Sequence, residues 1–127
     1  MMTTLTMTLT DIVRMARSAR CALVAEYDDD AAIVAFTPIA RGARGRAATG
    51  ATLIEALETL VDARVVNDDA LRTLDALARS PRVSAVEIAL DERLCRARIY
   101  EDRVRTRQTA RVSVARALDD LAQQAVR

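Results

Sequence analysis

The sequence predicts an α+β fold in which an antiparallel sheet packs against helices within one domain, residues 1–127. Short β-prone apolar segments follow one another across tight polar turns, which is typical of antiparallel meanders. Stripes of apolar residues at helical spacing stand before and after each meander. With 127 residues, the chain is also too short for two units that each bury a sizeable core. One shared core is therefore expected.

The first half is predicted to be a helix, three strands and a second helix. Apolar residues recur near the start at spacings of three and four, and two apolar β-prone runs flank the acidic triplet Asp28 to Asp30. Pro38 can end the second strand before a glycine-rich connection. The predicted elements are a helix from Thr8 or Thr10 to about Ser18, strands at 21–27, 31–36 and 46–49, and a helix from Thr52 to about Arg64.

The start of that second helix, at Gly50-Ala51-Thr52, carries the clearest local signal. The Thr52 hydroxyl can accept a hydrogen bond from an unpaired backbone N–H, and Glu55 three residues later completes the capping-box pattern. Apolar residues then share one helical face, which we expect to pack on the core. They are Leu53, Leu57, Leu60 and Val61.

The second half repeats the order of elements. Asn67 is predicted to cap a helix that has Asp68 and Asp69 in its first turn, and Ser80-Pro81 is predicted to stop that helix. Short acidic turns separate the β-prone runs that follow. The predicted strands are 83–90, 94–100 and 103–109, and the predicted last helix runs from Ser113 to about Ala125.

The two halves also match residue by residue. The run Ala16 to Arg20 matches Ala78 to Arg82 at an offset of 62, and Thr52, Ala56, Leu57 and Leu60 match Ser113, Ala117, Leu118 and Leu121 at an offset of 61. We therefore predict two degenerate copies of a helix, three-strand meander, helix unit, as pseudo-repeats at about 8–64 and 67–127. Chance matches in a chain rich in alanine, leucine and arginine are the alternative.

Three features of residues 23–63 occur together: the acidic turn Asp28-Asp29-Asp30, the loop Pro38-Ile39-Ala40-Arg41-Gly42, and the helix start Gly50-Ala51-Thr52-Leu53-Ile54-Glu55-Ala56. In this combination the segment resembles the N-terminal domain of HicB-like antitoxins. The resemblance implies a degraded ribonuclease-H-like sheet and helix, used as a non-catalytic surface that covers a small toxic ribonuclease. Family members commonly append a DNA-binding segment, whereas this chain continues into a second β-rich half.

Composition argues against several classes of function. The chain has no histidine and no lysine, so the commonest general base is missing, and we predict that the protein is not an enzyme and takes no cofactor. Without histidine, a zinc site would need four cysteines or help from carboxylates, so the two lone cysteines, Cys21 and Cys95, are expected to be small buried residues and no metal is expected. The start, Met1 to Thr10, lacks the features of a signal peptide, and no run is long enough to span a membrane. A cytoplasmic protein is therefore expected.

Arginines alternate along two of the predicted strands in the second half. Strand alternation puts Arg96 and Arg98 on the face opposite Cys95, Ala97 and Ile99. In the next strand Arg103, Arg105 and Arg107 share a face, and an aligned hairpin register would join all five arginines into one basic sheet face.

Such a basic face has three possible roles: it could bind an acidic partner protein, bind RNA, or remain solvated. Residues 63–127 carry 13 arginines against 10 acidic residues, whereas residues 1–62 carry six against eight, so the halves differ in charge although the net charge is only +1. Nucleic acid is the least favoured partner, because only Tyr27, Phe36 and Tyr100 could stack on bases and the net charge is weak.

Two further charged groups have an ordinary structural reading beside a functional one. Arg41, Arg44 and Arg46 could grip phosphates or simply belong to a charged connecting loop. The triplet Asp28 to Asp30 could bind Mg²⁺, but a solvated turn is favoured because no second set of carboxylates accompanies it.

Taken together, these features predict a non-enzymatic protein-binding module, in its narrower form an antitoxin-like protein that neutralises a small toxic nuclease. The alternatives are a nucleic-acid-binding protein that uses the arginine-rich face, and a phage or mobile-element inhibitor of a host defence protein. The strand around residues 22–25 is apolar on both faces, which suggests cover by helices or by another subunit, so a homodimer is expected.

Overall fold

The computed structural model of the protein describes residues 5–126. The chain forms four helices and eight strands in this range, in the order β1-α1-β2-β3-β4-α2-β5-α3-β6-β7-β8-α4. The helices are α1 (Leu9–Ser18), α2 (Leu53–Val61), α3 (Asp69–Arg79) and α4 (Val114–Val126). The strands are β1 (Thr6–Met7), β2 (Cys21–Asp28), β3 (Ala31–Pro38), β4 (Arg46–Gly50), β5 (Arg64–Val65), β6 (Val83–Leu90), β7 (Cys95–Glu101) and β8 (Val104–Arg111).

Six strands form one antiparallel sheet in the order β4-β3-β2-β6-β7-β8. The two three-strand meanders join at the centre, where β2 runs antiparallel to β6 and Val24 lies opposite Glu87. We call β4, β3 and β2 the first half-sheet, and β6, β7 and β8 the second half-sheet. The short strands β1 and β5 form a separate parallel pair. The predicted α+β fold is confirmed.

All four helices pack on the same face of this sheet. Their buried residues share one core with the inward residues of β2, β3, β6 and β7, such as Leu23, Val34, Ile88 and Ile99. Helices α1 and α3 lie over the central strands, whereas α2 covers the β3–β4 side and α4 covers the β7–β8 side. The helix-covered face is therefore mostly apolar, and the opposite face has no described helix upon it.

Both helices of the first half begin at threonine caps. The Thr8 hydroxyl accepts from the Asp11 N–H and the Asp11 carboxylate accepts from the Thr8 N–H, so Thr8 rather than Thr10 starts α1. The predicted Thr52 cap is also present, since its hydroxyl accepts from the Glu55 N–H at 3.2 Å. The return bond of the predicted capping box differs, because the Glu55 carboxylate accepts from the N–H of Ala51 instead of Thr52.

Two predicted helix boundaries are wrong. Helix α2 ends at Val61 rather than near Arg64, because Asp62 adopts a left-handed conformation with φ 51° that stops the helix. Arg64 then enters β5 and pairs with Thr6 of β1. Helix α3 is capped by Asp68 and not by Asn67, since the Asp68 carboxylate accepts from the Leu71 N–H at 3.0 Å.

Each half of the chain contains a helix, a three-strand meander and a further helix. The first strands of the two meanders, β2 and β6, have eight residues each and begin 62 positions apart. This is the arrangement that a duplicated unit predicts, but the same order of elements could also arise without duplication. The internal duplication therefore stays a hypothesis.

No helix within residues 5–126 has the length and apolar character needed to cross a membrane.

Candidate functional site

The face of the six-stranded sheet away from the helices, which we call the open face, gathers most of the chemistry predicted from the sequence. Its members follow from alternation along each strand and from the cross-strand register, because directly opposed residues point to the same side. They are Ala22, Val24, Glu26 and Asp28 of β2, Ala31, Ile33, Ala35 and Thr37 of β3, Ala47 and Thr49 of β4, Ala85, Glu87 and Ala89 of β6, Arg96, Arg98 and Tyr100 of β7, and Arg105, Gln108 and Ala110 of β8.

The first half-sheet presents small and apolar side chains on the open face. Ala22 is fully buried although it does not belong to the core under the helices. Val24, Ile33 and Ala35 around it are only partly buried. Glu26 and Asp28 are the charged side chains of this half of the open face, and neither forms an ion pair with any residue in the described range.

The second half-sheet presents charge on the same face. The predicted alternation in β7 holds, since Cys95, Ala97 and Ile99 are buried in the core and the two arginines between them point outward. The guanidinium of Arg98 lies 3.2 Å from the Glu87 carboxylate, and that of Arg96 lies 3.2 Å from Asp91. Carboxylates therefore partly neutralise both arginines of β7.

The expectation of a single face with five arginines is wrong at Arg107. A β-bulge between Ile99 and Tyr100 shifts the register of β8, so that Arg105 lies opposite Tyr100 and Arg107 lies opposite the buried Ile99. A bulge inserts an extra residue into one strand and thereby changes which side chains share a face. Arg107 therefore points to the helix side of the sheet, whereas Arg105 stays on the open face.

Of the other predicted arginines, Arg98 comes together with Arg105. The amide oxygen of Gln108 accepts from Arg98 at 3.0 Å and from Arg105 at 3.3 Å, which ties the two guanidinium groups to one acceptor. Arg103 lies in the β7–β8 turn with a φ of 66°. Its side chain borders the open face beside Tyr100 and Glu26. Four of the five predicted arginines are thus on the open side: Arg96, Arg98, Arg103 and Arg105.

A shallow depression of about 340 Å³ lies at the centre of the open face, where the two half-sheets meet. Its lining combines Val24 and Ala85 with the carboxylates of Glu26 and Glu87 and the side chain of Arg103. Sequence reasoning missed Glu26 and Glu87 as site residues. The signal that could have found them is alternation, because each lies between two core residues of its strand.

The three arginines of the glycine-rich loop do not form one cluster. Arg46 belongs to β4, and its guanidinium lies over the Phe36 ring at 5.1 Å and donates to the Met15 sulfur at 3.5 Å. It is therefore held on the helix side of the sheet. Arg41 and Arg44 are exposed in the loop.

The acidic triplet forms the tight β2–β3 turn, where Asp29 adopts a φ of 54° and all three side chains are exposed. Within residues 5–126, no group of three His, Cys, Asp or Glu residues is placed so that it could hold a metal ion. The geometry here is that of a solvated turn.

The possible nucleophiles are engaged or buried. Burial raises the pKa of the Cys95 thiol to about 11, so the reactive thiolate is scarce at neutral pH. The hydroxyl of Ser84 donates to the Tyr100 carbonyl at 3.0 Å and accepts from the Arg103 N–H at 3.1 Å. Ser84 thus fastens the β7–β8 turn to β6.

A polar cluster under the helices joins the two halves of the chain. The Tyr27 hydroxyl donates to the Asp75 carboxylate and accepts from the Leu53 N–H at 3.1 Å, at the start of α2. Arg79 donates to Asp75 at 2.9 Å, and its guanidinium lies 4.6 Å from the centre of the Tyr27 ring. Burial and the bond to Asp75 raise the pKa of Tyr27. Sequence reasoning missed this contact, because its members lie far apart along the chain.

No protein-family model, no curated protein and no solved structure matches this chain. The resemblance of residues 23–63 to HicB-like antitoxins therefore stays a prediction.

Proposed function

We propose that this protein is a non-enzymatic binding module that docks another protein on its open face. The main support for the proposal is the contrast between the two faces of the sheet. Helices cover one face, whereas the first half-sheet leaves mostly apolar side chains on the open face. Antiparallel sheets that face water normally carry polar residues on the solvent side. Here Val24, Ile33 and Ala35 occupy that side and are only partly buried.

The apolar part of the open face, around Ala22 and Ala35, suits a flat protein surface. Ala22 is fully buried between its neighbours, and the flanking side chains Val24, Ala35 and Ala89 are short. A contiguous apolar area with a polar border is a common mark of a protein interaction site. Burial of this area by a partner would remove apolar surface from water, which is the main favourable term in protein association.

The border of the open face gives the partner a preferred charge. Arg103 and Arg105 form no ion pair within the described part of the chain, whereas Arg96 and Arg98 each have a carboxylate neighbour. The excess charge on the second half-sheet is therefore positive. A partner with acidic residues facing β7 and β8 would complement it and associate faster.

A protein partner is favoured over single-stranded nucleic acid by the positions of the aromatic residues. Proteins that bind single strands usually stack bases on aromatic rings. Tyr27 and Phe36 lie on the helix side, with Phe36 buried in the core, and Tyr100 is the one aromatic residue of the open face. The open face thus offers basic groups without a stacking platform.

In its narrower form, the proposal is antitoxin-like: the partner is a small toxic nuclease, and the protein acts in the cytoplasm as a homodimer. The HicB-like resemblance supports the nuclease as partner. The apolar first half-sheet supports the homodimer, because its small side chains would allow the sheets of two copies to approach closely.

Native mass spectrometry of the protein isolated from its own cell tests the proposal. We expect the wild type to carry a stoichiometric protein partner, and an Ala35→Glu variant to lose it, because the substitution places a charge in the apolar part of the open face. The matched control is Ala115→Glu, since Ala115 is exposed on α4, away from the open face. A wild type without a partner, a partner that survives Ala35→Glu, or bound nucleic acid alone would contradict the proposal.

A further inference from the structure

The two edges of the six-stranded sheet differ in length and in chemistry. Strand β4 has five residues, whereas β8 has eight and pairs only with β7 within the described residues. An edge strand presents backbone N–H and C=O groups that can pair with a further strand. Strand β8 is therefore the longer available template on this molecule.

The side chains of β8 make this edge basic on both faces of the sheet. Arg105 points to the open face and Arg107 to the helix side, and neither forms an ion pair within residues 5–126. Arg111, at the end of the strand, pairs with Asp120 of α4. The positive charge at the middle of the edge is thus left without compensation by this part of the chain.

Exposed valines stand at both ends of the same edge. Val104 begins β8 and is 64% exposed, and Val112 follows β8 and is 78% exposed. Single exposed apolar residues are ordinary on protein surfaces. These two, however, bracket the strand that carries the unpaired arginines, so apolar contacts are available on either side of a charged centre.

A second copy of this chain is a poor occupant of the edge. Antiparallel pairing of β8 with itself about Arg107 would set that residue opposite its copy, and pairing about Thr109 would set Arg107 opposite Arg111 of the other copy, on the same side of the sheet. Like charges directly opposite each other destabilise a strand pair. The charge pattern therefore disfavours self-pairing and favours an acidic strand.

We infer that an extended acidic segment of the partner protein adds to the sheet as a seventh strand beside β8. The inference rests on the proposed function and names the chemistry of its partner. Main-chain hydrogen bonds to the edge supply affinity in this mode of recognition, and side chains supply specificity. The segment carries acidic side chains on both of its faces, opposite Arg105 and Arg107, and apolar side chains near its ends, beside Val104 and Val112.

The test uses the full chain and a short synthetic peptide with a valine at each end and glutamates and threonines between them. The control peptide has lysine in place of every glutamate. Binding is measured by fluorescence anisotropy, and backbone amide hydrogen exchange is followed by NMR. We expect the glutamate peptide to bind and to slow the exchange of β8 amides by about tenfold or more, whereas the lysine peptide does neither.

Charge reversal separates pairing at β8 from general attraction. The double variant Arg105→Glu with Arg107→Glu should bind the glutamate peptide about tenfold more weakly, the loss expected for two exposed ion pairs, and should gain binding of the lysine peptide. The matched control is Arg82→Glu with Arg93→Glu, because both arginines are exposed and lie outside β8. Circular dichroism checks that both variants fold.

Protection that is absent, or that appears on β4 instead of β8, would overturn the inference, as would equal binding of the glutamate peptide by both double variants. The proposed function fails separately. If Ala35→Glu releases the cellular partner but reversal at Arg105 and Arg107 does not, the open face binds the partner without an added strand.

Discussion

The two half-sheets have the same strand order and the same buried pattern under the helices, yet their open faces differ. On the helix side, Val34 of the first half-sheet and Ile99 of the second are equally buried. On the open side, the first half-sheet shows mainly alanine, valine, isoleucine and threonine, with Glu26 and Asp28 as its charged side chains, whereas the second carries arginine, glutamate and glutamine among its alanines and Tyr100. Packing under the helices dictates the residues of the helix-covered face in both half-sheets. The open face differs between them, and we therefore look for the function there.

The largest expected loss of stability follows the truncation of core leucines at corresponding positions of the two halves. Leu57 of α2 and Leu118 of α4 correspond at an offset of 61, and both are fully buried. Leu57→Ala and Leu118→Ala should each lower the free energy of unfolding by about 2–5 kcal/mol, and by similar amounts, because each leaves a cavity of the same kind. Urea unfolding measures both. Ile39→Ala is the control, since Ile39 is largely exposed and should change stability little. Clearly unequal losses at the two leucines would break the correspondence.

The next effect concerns a close approach found only in the first half. A Cβ on Gly50 would lie 2.7 Å from the Ala56 backbone nitrogen and 2.9 Å from the Glu55 Cβ. Gly50→Ala should therefore lower stability by about 1–3 kcal/mol through overlap, which exceeds the gain from a less flexible unfolded chain. The corresponding position in the second half is Arg111, whose side chain pairs with Asp120 of α4. Thermal unfolding compares Gly50→Ala with Thr49→Ala, an exposed neighbour. An unchanged melting temperature for Gly50→Ala would contradict the overlap.

A smaller effect concerns the cluster that links the halves. Tyr27→Phe removes the hydroxyl that bonds Asp75 and the Leu53 N–H, which should cost about 1–2 kcal/mol. Because the pKa of Tyr27 is raised in the folded state, its contribution is fully present below the ordinary tyrosine pKa of about 10 and is lost as pH rises through the raised value. Urea unfolding between neutral and alkaline pH measures this loss as the difference in free energy of unfolding between the wild type and Tyr27→Phe. Both proteins retain Cys95, so the titration of its thiol affects them alike. A difference that does not shrink at alkaline pH would contradict the assigned role of the hydroxyl.

The sequence was sufficient to predict the order of the main elements, because helical and strand periodicity is a local property. The stripe of α4 and the alternation of β7 are clear examples. Periodicity could not show the β1–β5 pair, since two residues per strand carry no period. The sequence also could not distinguish Asp68 from Asn67 as the cap of α3, because both side chains can cap a helix.

The candidate site was predictable only in part, for reasons of register. Alternation within β7 placed Arg96 and Arg98 correctly. The bulge opposite Tyr100 depends on how two strands pair, and it moved Arg107 to the other side of the sheet. The apolar composition of both faces of β2 was visible in the sequence, but which face the helices cover depends on the packing of the whole sheet.

The smallest effect contrasts the two glutamates of the open face. Glu87 lies 3.2 Å from Arg98 with both side chains mostly buried, at 19% and 26% exposure, whereas Glu26 has no ion pair among the described residues. Glu87→Gln should therefore lower stability by about 1 kcal/mol, the upper end for a surface pair. Glu26→Gln should leave stability unchanged or raise it slightly, because it removes an uncompensated charge from an apolar surface. Urea unfolding at low and high salt distinguishes the two variants, since only the loss of stability caused by Glu87→Gln should shrink with added salt. Equal effects at both positions would mean that the charge difference between the half-sheets has no energetic consequence in the free protein.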